Sequence, residues 1–496
     1  MSTPLHDQDA STLLARMATG ELGSRELLEC YLERIGRHNA SINAVVAMDV
    51  GRARREADAA DAARQRGDAL GPLHGLPMTI KDCYEVPGMA CTAGSPEFKH
   101  HVPAAPAIVV RQLQDAGAIV FGKTNVPYMA GDIQTYNPVF GTTNNPWNSA
   151  LTCGGSSGGS AAALAAGFTA LEFGSDIGGS IRTPSHFCGV YGHKPSHGII
   201  SMQGHIPGPP GELTEPELAV AGPMARSATD LALLLEVTGA APPAMADGWQ
   251  LNLPRAPQKS LSDFRVLMWM DDPGCPLDSR LSAVYTQLQS SLVKAGASVT
   301  RGSPDNLSLE RFFAEYAVQI TAQFLAWPPA ATPTVMRHLM SMGGSLTSLL
   351  PLPGLPPHAD KFAKGAAISH ANWLAAREAG LHLRAEFLKV FGKYDVILTP
   401  PVMTTAFRHD HSRFFSLRKV TVDGKRRSYT DMLMWQAPPV LMGLPATSAP
   451  VGLTHDHLPV NVQIIGAPYH DLHTLKFAEL MAAVTGGFRA PPPISR

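Results

Sequence analysis

The chain has 496 residues, 45% of them apolar and 16% charged, which suits a large interior and leaves one or two cores open. Forty Lys and Arg balance 41 Asp and Glu with no basic run, which argues against a nucleic-acid partner. Six widely spaced cysteines, Cys30, Cys83, Cys91, Cys153, Cys188 and Cys275, form no CxxC pair, which argues against a disulfide framework or zinc ribbon and for reduced, mostly buried thiols.

Met1 to Ser11 is polar and lacks the apolar stretch of a secretory signal, so a cytoplasmic location is expected. Leu13, Leu14 and Met17 share one helical face, and Leu27, Leu28, Tyr31, Leu32 and Ile35 continue the spacing after a Ser24 cap. Arg52 to Arg66 reads as a third helix, so residues 1–70 are expected to be helices packed on a core. From Gly71, short apolar runs (Pro77–Ile80, Ala118–Phe121, Thr169–Phe173) alternate with helical stretches (Ala107–Ala116, Ser160–Ala166). This alternation predicts an α/β fold in which helices cover both faces of a central sheet. The most apolar stretch, Ala161–Phe173, is too short to span a bilayer and contains Glu172, so it reads as core and no membrane association is expected.

A second α/β stretch follows, with a strand at Val266–Met270, a helix at Ser282–Ala295 and a strand at Tyr394–Leu398. Between them, Leu309–Lys364 is aromatic, Met-rich and then rich in Pro and Gly, as expected of a lid or pocket wall. The chain closes with a strand at Val460–Ile465 and a helix at Leu472–Val484.

Two motifs invite misreading. Gly117 to Thr124 has the letters of a phosphate-binding P-loop, but Ala118–Phe121 reads as the strand itself, a helix precedes it, and Pro127 follows too soon. Gly154–Gly158 fits the GxSxG nucleophile elbow, which must follow a strand directly, and Asn145–Thr152 reads as a turn-rich loop. The pairs His409 with His411 and His455 with His457 have HxH spacing without further ligands, so no metal site is expected.

The chemistry concentrates between Cys153 and Pro184. Two glycine-serine loops, CGGSSGGS and GSDIGGSIRTP, bracket one helix-strand unit. Their glycines permit close approach of a ligand to the main chain, and successive amides there suit a tetrahedral oxyanion or a phosphate equally well. GGSSGGS, the 24-residue step from Ser156 to Ser180, and DIGGSIR closely resemble the amidase-signature family. So do Gly75-Leu-Pro-Met-Thr-Ile-Lys81-Asp82 upstream and Gly122-Lys-Thr-Asn-Val-Pro127, Gly192-His-Lys-Pro195 and Gly443-Leu-Pro-Ala446, in order over nearly the whole chain.

The resemblance implies one large domain with a mixed sheet: N-terminal helices (1–70), a catalytic core (71–260), a less regular substrate-covering region (261–395) and the remainder of the core (396–496). It implies an amidase with Ser180 as nucleophile. Ser156 would follow a cis peptide bond after Gly155 and relay the proton to Lys81, while the amides of Ile177, Gly178, Gly179 and Ser180 would hold the oxyanion. Asp176 and Arg182 would brace the loop, and Tyr128, Met129, Ala130 and Gly131 would line the acyl pocket. Lys81 acts as a base only when neutral, so its ordinary pKa of about 10.4 must fall by roughly 2 to 3 through burial.

No metal or organic cofactor is required by this chemistry. The apolar stretch Phe312–Leu350 points to a small apolar acyl or aryl amide, with carbamate or ester cleavage, or a role within a glutamine-dependent amidotransferase, as alternatives. A homodimer is an assembly suggested by resemblance alone. Gln436–Met442 departs from the pattern, standing where many relatives carry an Asn before Gly-Leu-Pro.

Overall fold

Asp9 caps the first helix, α1 (Ala10–Ala18), and Leu13 and Met17 are buried beneath it. Asp49 caps α3 (Val50–Arg66), which ends at Gly67 in the left-handed region with φ 76°. The computed structural model describes residues 3–208, 210–240, 245–305, 307–326, 358–366, 368–413 and 415–494. The helix between these two, α2 (Ser24–Ile42), departs from expectation, because its cap is Gly23 and Ser24 lies inside the first turn. There Ser24 donates its hydroxyl to the Gly75 carbonyl, while Asp61 of α3 accepts from the amides of Ser24 (2.8 Å) and Arg25 (3.0 Å). A carboxylate from a neighbouring helix thus satisfies the orphan donors that a capping serine would have served.

A short strand that periodicity did not signal, β1 (Val45–Met48), follows α2. It pairs antiparallel with β3 (Ile119–Thr124), which lies parallel to β2 (Pro77–Lys81). The crossover between β2 and β3 carries α4 (Ile108–Asp115). The P-loop look-alike is therefore strand where a P-loop would be loop. Its Lys123 is fully buried, donating to the Tyr84 carbonyl at 2.7 Å and lying 3.0 Å from Asp82 Oδ1.

Two hairpins follow, β4 (Tyr136–Asn137) with β5 (Gly141–Thr142) and β6 (Asn144–Asn145) with β7 (Asn148–Thr152). The second corrects the loop expected there: Asn145 accepts from the Trp147 amide at 2.9 Å and folds its turn-forming residues into a ribbon. Next come α5 (Gly158–Ala165), β8 (Leu171–Asp176), α6 (Arg182–Cys188), β9 (Tyr191–Lys194), β10 (Val220–Ala225) and α7 (Ala228–Thr238).

The region 261–395 contributes β11 (Arg265–Met268), α8 (Ser279–Lys294), β12 (Ser298–Arg301), α9 (Leu309–Ala326), α10 (Ala359–Ala366) and α11 (His370–Phe387). Residues 327–357, which hold most of the Met-rich covering stretch, lie outside the described residues. The chain closes with β13 (Val396–Thr399), the hairpin β14 (Lys419–Val422) and β15 (Lys425–Ser428), α12 (Ala437–Leu441), β16 (Ala446–Leu453), β17 (Pro459–Ile465) and α13 (Asp471–Thr485).

Eight strands form the large mixed sheet in the order β12-β11-β13-β17-β16-β9-β10-β8. The pairs β11–β12 and β11–β13 are parallel, and the remaining neighbours are antiparallel. Every residue of β8, β9, β10, β13 and β17 is buried, so both faces are covered there, with α6 and α13 among the packing helices. The small sheet β1-β3-β2 sits beside the edge strand β8. Side chains bridge them: the Thr79 amide donates to Thr169 Oγ1 at 3.3 Å, and Thr79 Oγ1 donates to Glu172 Oε1 at 2.5 Å. Among the described residues, no helix is long and apolar enough to cross a membrane.

The helix α5 is buried at every position and, Leu164 apart, is built of small residues. Small size is required here: a Cβ on Gly159 would lie 2.3 Å from the Asn125 amide nitrogen, a backbone atom that cannot rotate away. Gly159→Ala is therefore expected to destabilise the protein by about 2–3 kcal/mol, or to prevent folding, as read from the urea midpoint.

Candidate active site

Lys81 ends β2, where the alternation of a fully buried strand carries its side chain into the seam beside β8. It is 0% exposed. Its Nζ lies 2.6 Å from Ser156 Oγ and 2.9 Å from Ser175 Oγ, and no carboxylate among the described residues is in hydrogen-bond contact with it. Burial lowers its pKa to about 8, against smaller opposing pulls from Cys83, Asp176 and Glu172.

Ser156 follows a cis peptide bond after Gly155 and is almost fully buried. A Cβ at Gly155 would lie 2.6 Å from the Asp132 carbonyl oxygen, so the glycine lets this turn press against the segment 132–134. The GxSxG letters do follow a strand, β7, but one of a two-stranded ribbon, and the partner of Ser156 is an amine rather than an imidazole.

Ser180 stands in the turn between β8 and α6, and its hydroxyl makes no hydrogen bond among the described residues. The two glycine-serine loops are tied by their backbones, since the Ser157 amide donates to the Ser180 carbonyl at 3.0 Å. Lys81, Ser156 and the Ser180 turn thus converge, although they stand on β2, the α5 entry and the α6 entry.

Asp176 and Arg182 organise that turn. Asp176 accepts from the amides of Gly179 (2.9 Å) and Ile181 (3.1 Å), and from Arg182 Nη2 (2.8 Å) and Nε (3.0 Å). Burial pushes its carboxyl up, but the Arg182 charge and these amides outweigh it and hold the pKa at about 2. Arg182 Nη1 reaches Gln463 Oε1 of β17 at 2.5 Å, fixing the turn to the large sheet. Both side chains are fully buried, so Arg182→Met would strand a carboxylate without its counter-charge. A loss of about 3–5 kcal/mol is expected, measured by urea denaturation at neutral pH. The Gly179 amide, engaged by Asp176, is committed to bracing; Ile177, Gly178 and Ser180 are the other amides of the expected oxyanion set.

Tyr128–Ala130 form a 3-10 turn in which Met129 and Ala130 both have positive φ (51° and 52°), an unfavourable backbone for residues with a Cβ. Tyr128 is exposed, Met129 and Ala130 are half-buried, and the Gly131 amide closes the turn on the Tyr128 carbonyl at 3.1 Å. Asp132 follows directly, so this turn adjoins the Gly155–Ser156 bond.

The sequence reading passed over several residues at the site. Tyr316 of α9 donates its hydroxyl to the Ile177 carbonyl at 3.0 Å. A Cβ on Gly178 would meet Tyr316 Oη at 2.9 Å, Leu433 at 3.3 Å and Ile320 at 3.6 Å, and one on Gly179 would meet Gln436 at 2.5 Å. Ser175, five residues before Ser180, contacts Lys81, and His205 contacts Ser175. Among the described residues, no cluster of His, Cys, Asp and Glu could hold a metal. His411 stacks on Tyr136 at 3.8 Å rather than joining a ligand set with His409.

The family model described as Amidase matches residues 26–475. The chain is 31% identical over 513 aligned residues to a glutamyl-tRNA(Gln) amidotransferase subunit of Synechococcus sp. (strain CC9605), covering 98% of each chain. Among solved structures, it resembles a protein described as part of a vestigial complex that reveals the origins of an s-triazine catabolic enzyme. That likeness has a TM-score of 0.79 at 28% identity, with 98% and 100% of the two chains covered. A structure described as an amidase gives a TM-score of 0.74 at 27% identity, with 96% and 99% covered. The chain belongs to the amidase family, with its amidase-signature fold, and is an amide-hydrolysing enzyme.

Proposed function

We propose that the protein hydrolyses the C–N bond of a carboxamide through an acyl-enzyme on Ser180. The observation that carries this reading is the 2.6 Å contact between Lys81 Nζ and Ser156 Oγ, in a site dry enough to bring the lysine pKa to about 8. A neutral Lys81 accepts the Ser156 proton while Ser156 accepts that of Ser180, so the Ser180 oxygen attacks the carbonyl carbon without becoming a free alkoxide. The amides of Ile177, Gly178 and Ser180 face the developing oxyanion, with Asp176 and Arg182 holding their turn. Collapse of the tetrahedral species breaks the C–N bond, and the proton returns through Ser156 to the leaving amine. Water, deprotonated by the same relay, then releases the acid.

A small apolar acyl or aryl amide is the substrate class that the walls of the site suit, because Tyr316, Ile320 and Leu433 crowd the Gly178 turn. Tyr128, Met129, Ala130 and Gly131 form the adjoining wall in this reading. Carbamates and esters suit the same attack and the same oxyanion donors. No metal or organic cofactor enters any step.

A second reading is favoured by the amidotransferase relative, which matches over almost its whole length. The same site would then release ammonia from glutamine for a partner protein to use. One experiment separates the two. Labelling with a fluorophosphonate and intact mass measurement should place one adduct on Ser180; hydrolysis is then compared for 4-nitroanilides of increasing acyl length, matched esters and carbamates, and L-glutamine. Glutamine-dependent ammonia release that requires a co-purified partner, with no anilide turnover, would overturn the first reading in favour of the second.

A further inference from the structure

The row of hydrogen-bonded side chains continues past Lys81, to a histidine that the proposed chemistry does not use. Ser175 Oγ lies 2.9 Å from Lys81 Nζ on one side and 2.8 Å from His205 Nε2 on the other. Ser175 is itself buried at the end of β8. The His205 ring stands edge-on to Tyr84 at 4.9 Å, and Tyr84 Oη donates to the Gly174 carbonyl at 2.6 Å. The imidazole is therefore held by a side chain anchored on the residue next to Ser175.

Hydrogen-bond counting gives this row a direction. A neutral lysine has two N–H donors and one lone pair, and a serine hydroxyl has one proton. To serve as base, Lys81 must keep its lone pair for the Ser156 proton. A Ser175 hydroxyl turned toward Lys81 would occupy that lone pair instead. An imidazole with its proton on Nδ1 offers Nε2 as an acceptor, takes the Ser175 hydrogen bond, and leaves only serine lone pairs facing the lysine. Burial and the adjacent Lys81 charge hold the His205 pKa well below its usual value, consistent with a neutral acceptor.

We infer that His205 is a positioning residue for the reaction: through Ser175 it orients the Lys81 amine so that its lone pair faces Ser156. This rests on the reading of Lys81 as the base.

The test measures phosphonylation of Ser180 by a fluorophosphonate, resolved into kinact and KI by intact mass, and so needs no knowledge of the natural substrate. His205→Phe keeps the ring contact with Tyr84 but removes the acceptor. It is expected to lower kinact about tenfold with KI unchanged, a modest part of the roughly 10²–10⁴-fold that proton transfer contributes. His205→Gln supplies a carbonyl acceptor and should restore most of the rate. In a Ser175→Ala background, where no competing hydroxyl remains, His205→Phe should cause no further loss.

An undiminished kinact in His205→Phe, an equal loss in both backgrounds, or a His205→Gln rate as low as that of His205→Phe would each overturn the inference. Should the Phe variant fail to fold, His205→Leu carries the same expectations. Lys81→Ala distinguishes the two levels. Full kinact in that variant sinks the base assignment itself, whereas a slow Lys81→Ala beside a normal His205→Phe sinks only the role of His205.

Discussion

Ser180→Ala is expected to lower kcat by on the order of 10⁵-fold or more and to abolish fluorophosphonate labelling, in a chain that melts where the wild type does. The expectation of unchanged stability is as specific as the loss of rate. The Ser180 hydroxyl makes no hydrogen bond among the described residues, and the bond tying its loop to Ser157 uses the backbone carbonyl, which alanine retains. Removing the hydroxyl therefore deletes the proposed attacking atom and little else. Turnover of a 4-nitroanilide, followed alongside a circular dichroism melt, checks both halves. Retention of most of the activity would reject Ser180 as the nucleophile.

Replacing Lys81 by methionine should make the protein more stable and nearly inactive. Burial takes the lysine from 10.5 to about 8, so at neutral pH the folded state carries a proton that its surroundings disfavour. That drop corresponds to about 3 kcal/mol, an upper figure because methionine forfeits the contacts with Ser156 and Ser175. The sign follows from linkage: between pH 8 and 10.5 the unfolded chain binds more protons than the folded one, so wild-type stability rises with pH across that window. The advantage of Lys81→Met should hence be largest below about pH 8 and fade by about pH 10.5. The wild-type rate should climb about tenfold per pH unit up to about 8 and then level off, since only the neutral amine acts as base. Urea titrations and pH–rate profiles of both proteins test this. A wild-type rate that does not change between about pH 6 and 9 would speak against a lysine base.

The three residues of the proposed triad are legible in the sequence because each sits in a short local pattern: a lysine ending a strand, and two serines in glycine-rich turns separated by one helix-strand unit. The walls are not, because Tyr316, Leu433 and Gln436 come from α9 and from the segment preceding α12, more than a hundred residues from the turn they cover. No local pattern sets His205 apart from the other histidines; only its pairing with Ser175 does. Elements with their own periodicity, such as α2, α8 and α13, can be read from the sequence to within a few residues. The strand β1 escapes such a reading because a few residues between two helices carry no usable period, and its partner β3 lies some seventy residues away. The β6–β7 hairpin escapes it because its turn formers act through the Asn145 side chain, an interaction that composition does not reveal.

Lys81, the proposed base, stands on the small sheet, while both serines belong to loops that bracket the α5–β8 unit, β8 being a strand of the large sheet, and the two sheets meet through side chains. Activity thus reports the alignment of two slabs that could slip apart without either losing its own strands. Mild heating or low urea that loosens the seam should silence catalysis before the far-ultraviolet signal moves, so the inactivation curve is expected to run ahead of the melting curve.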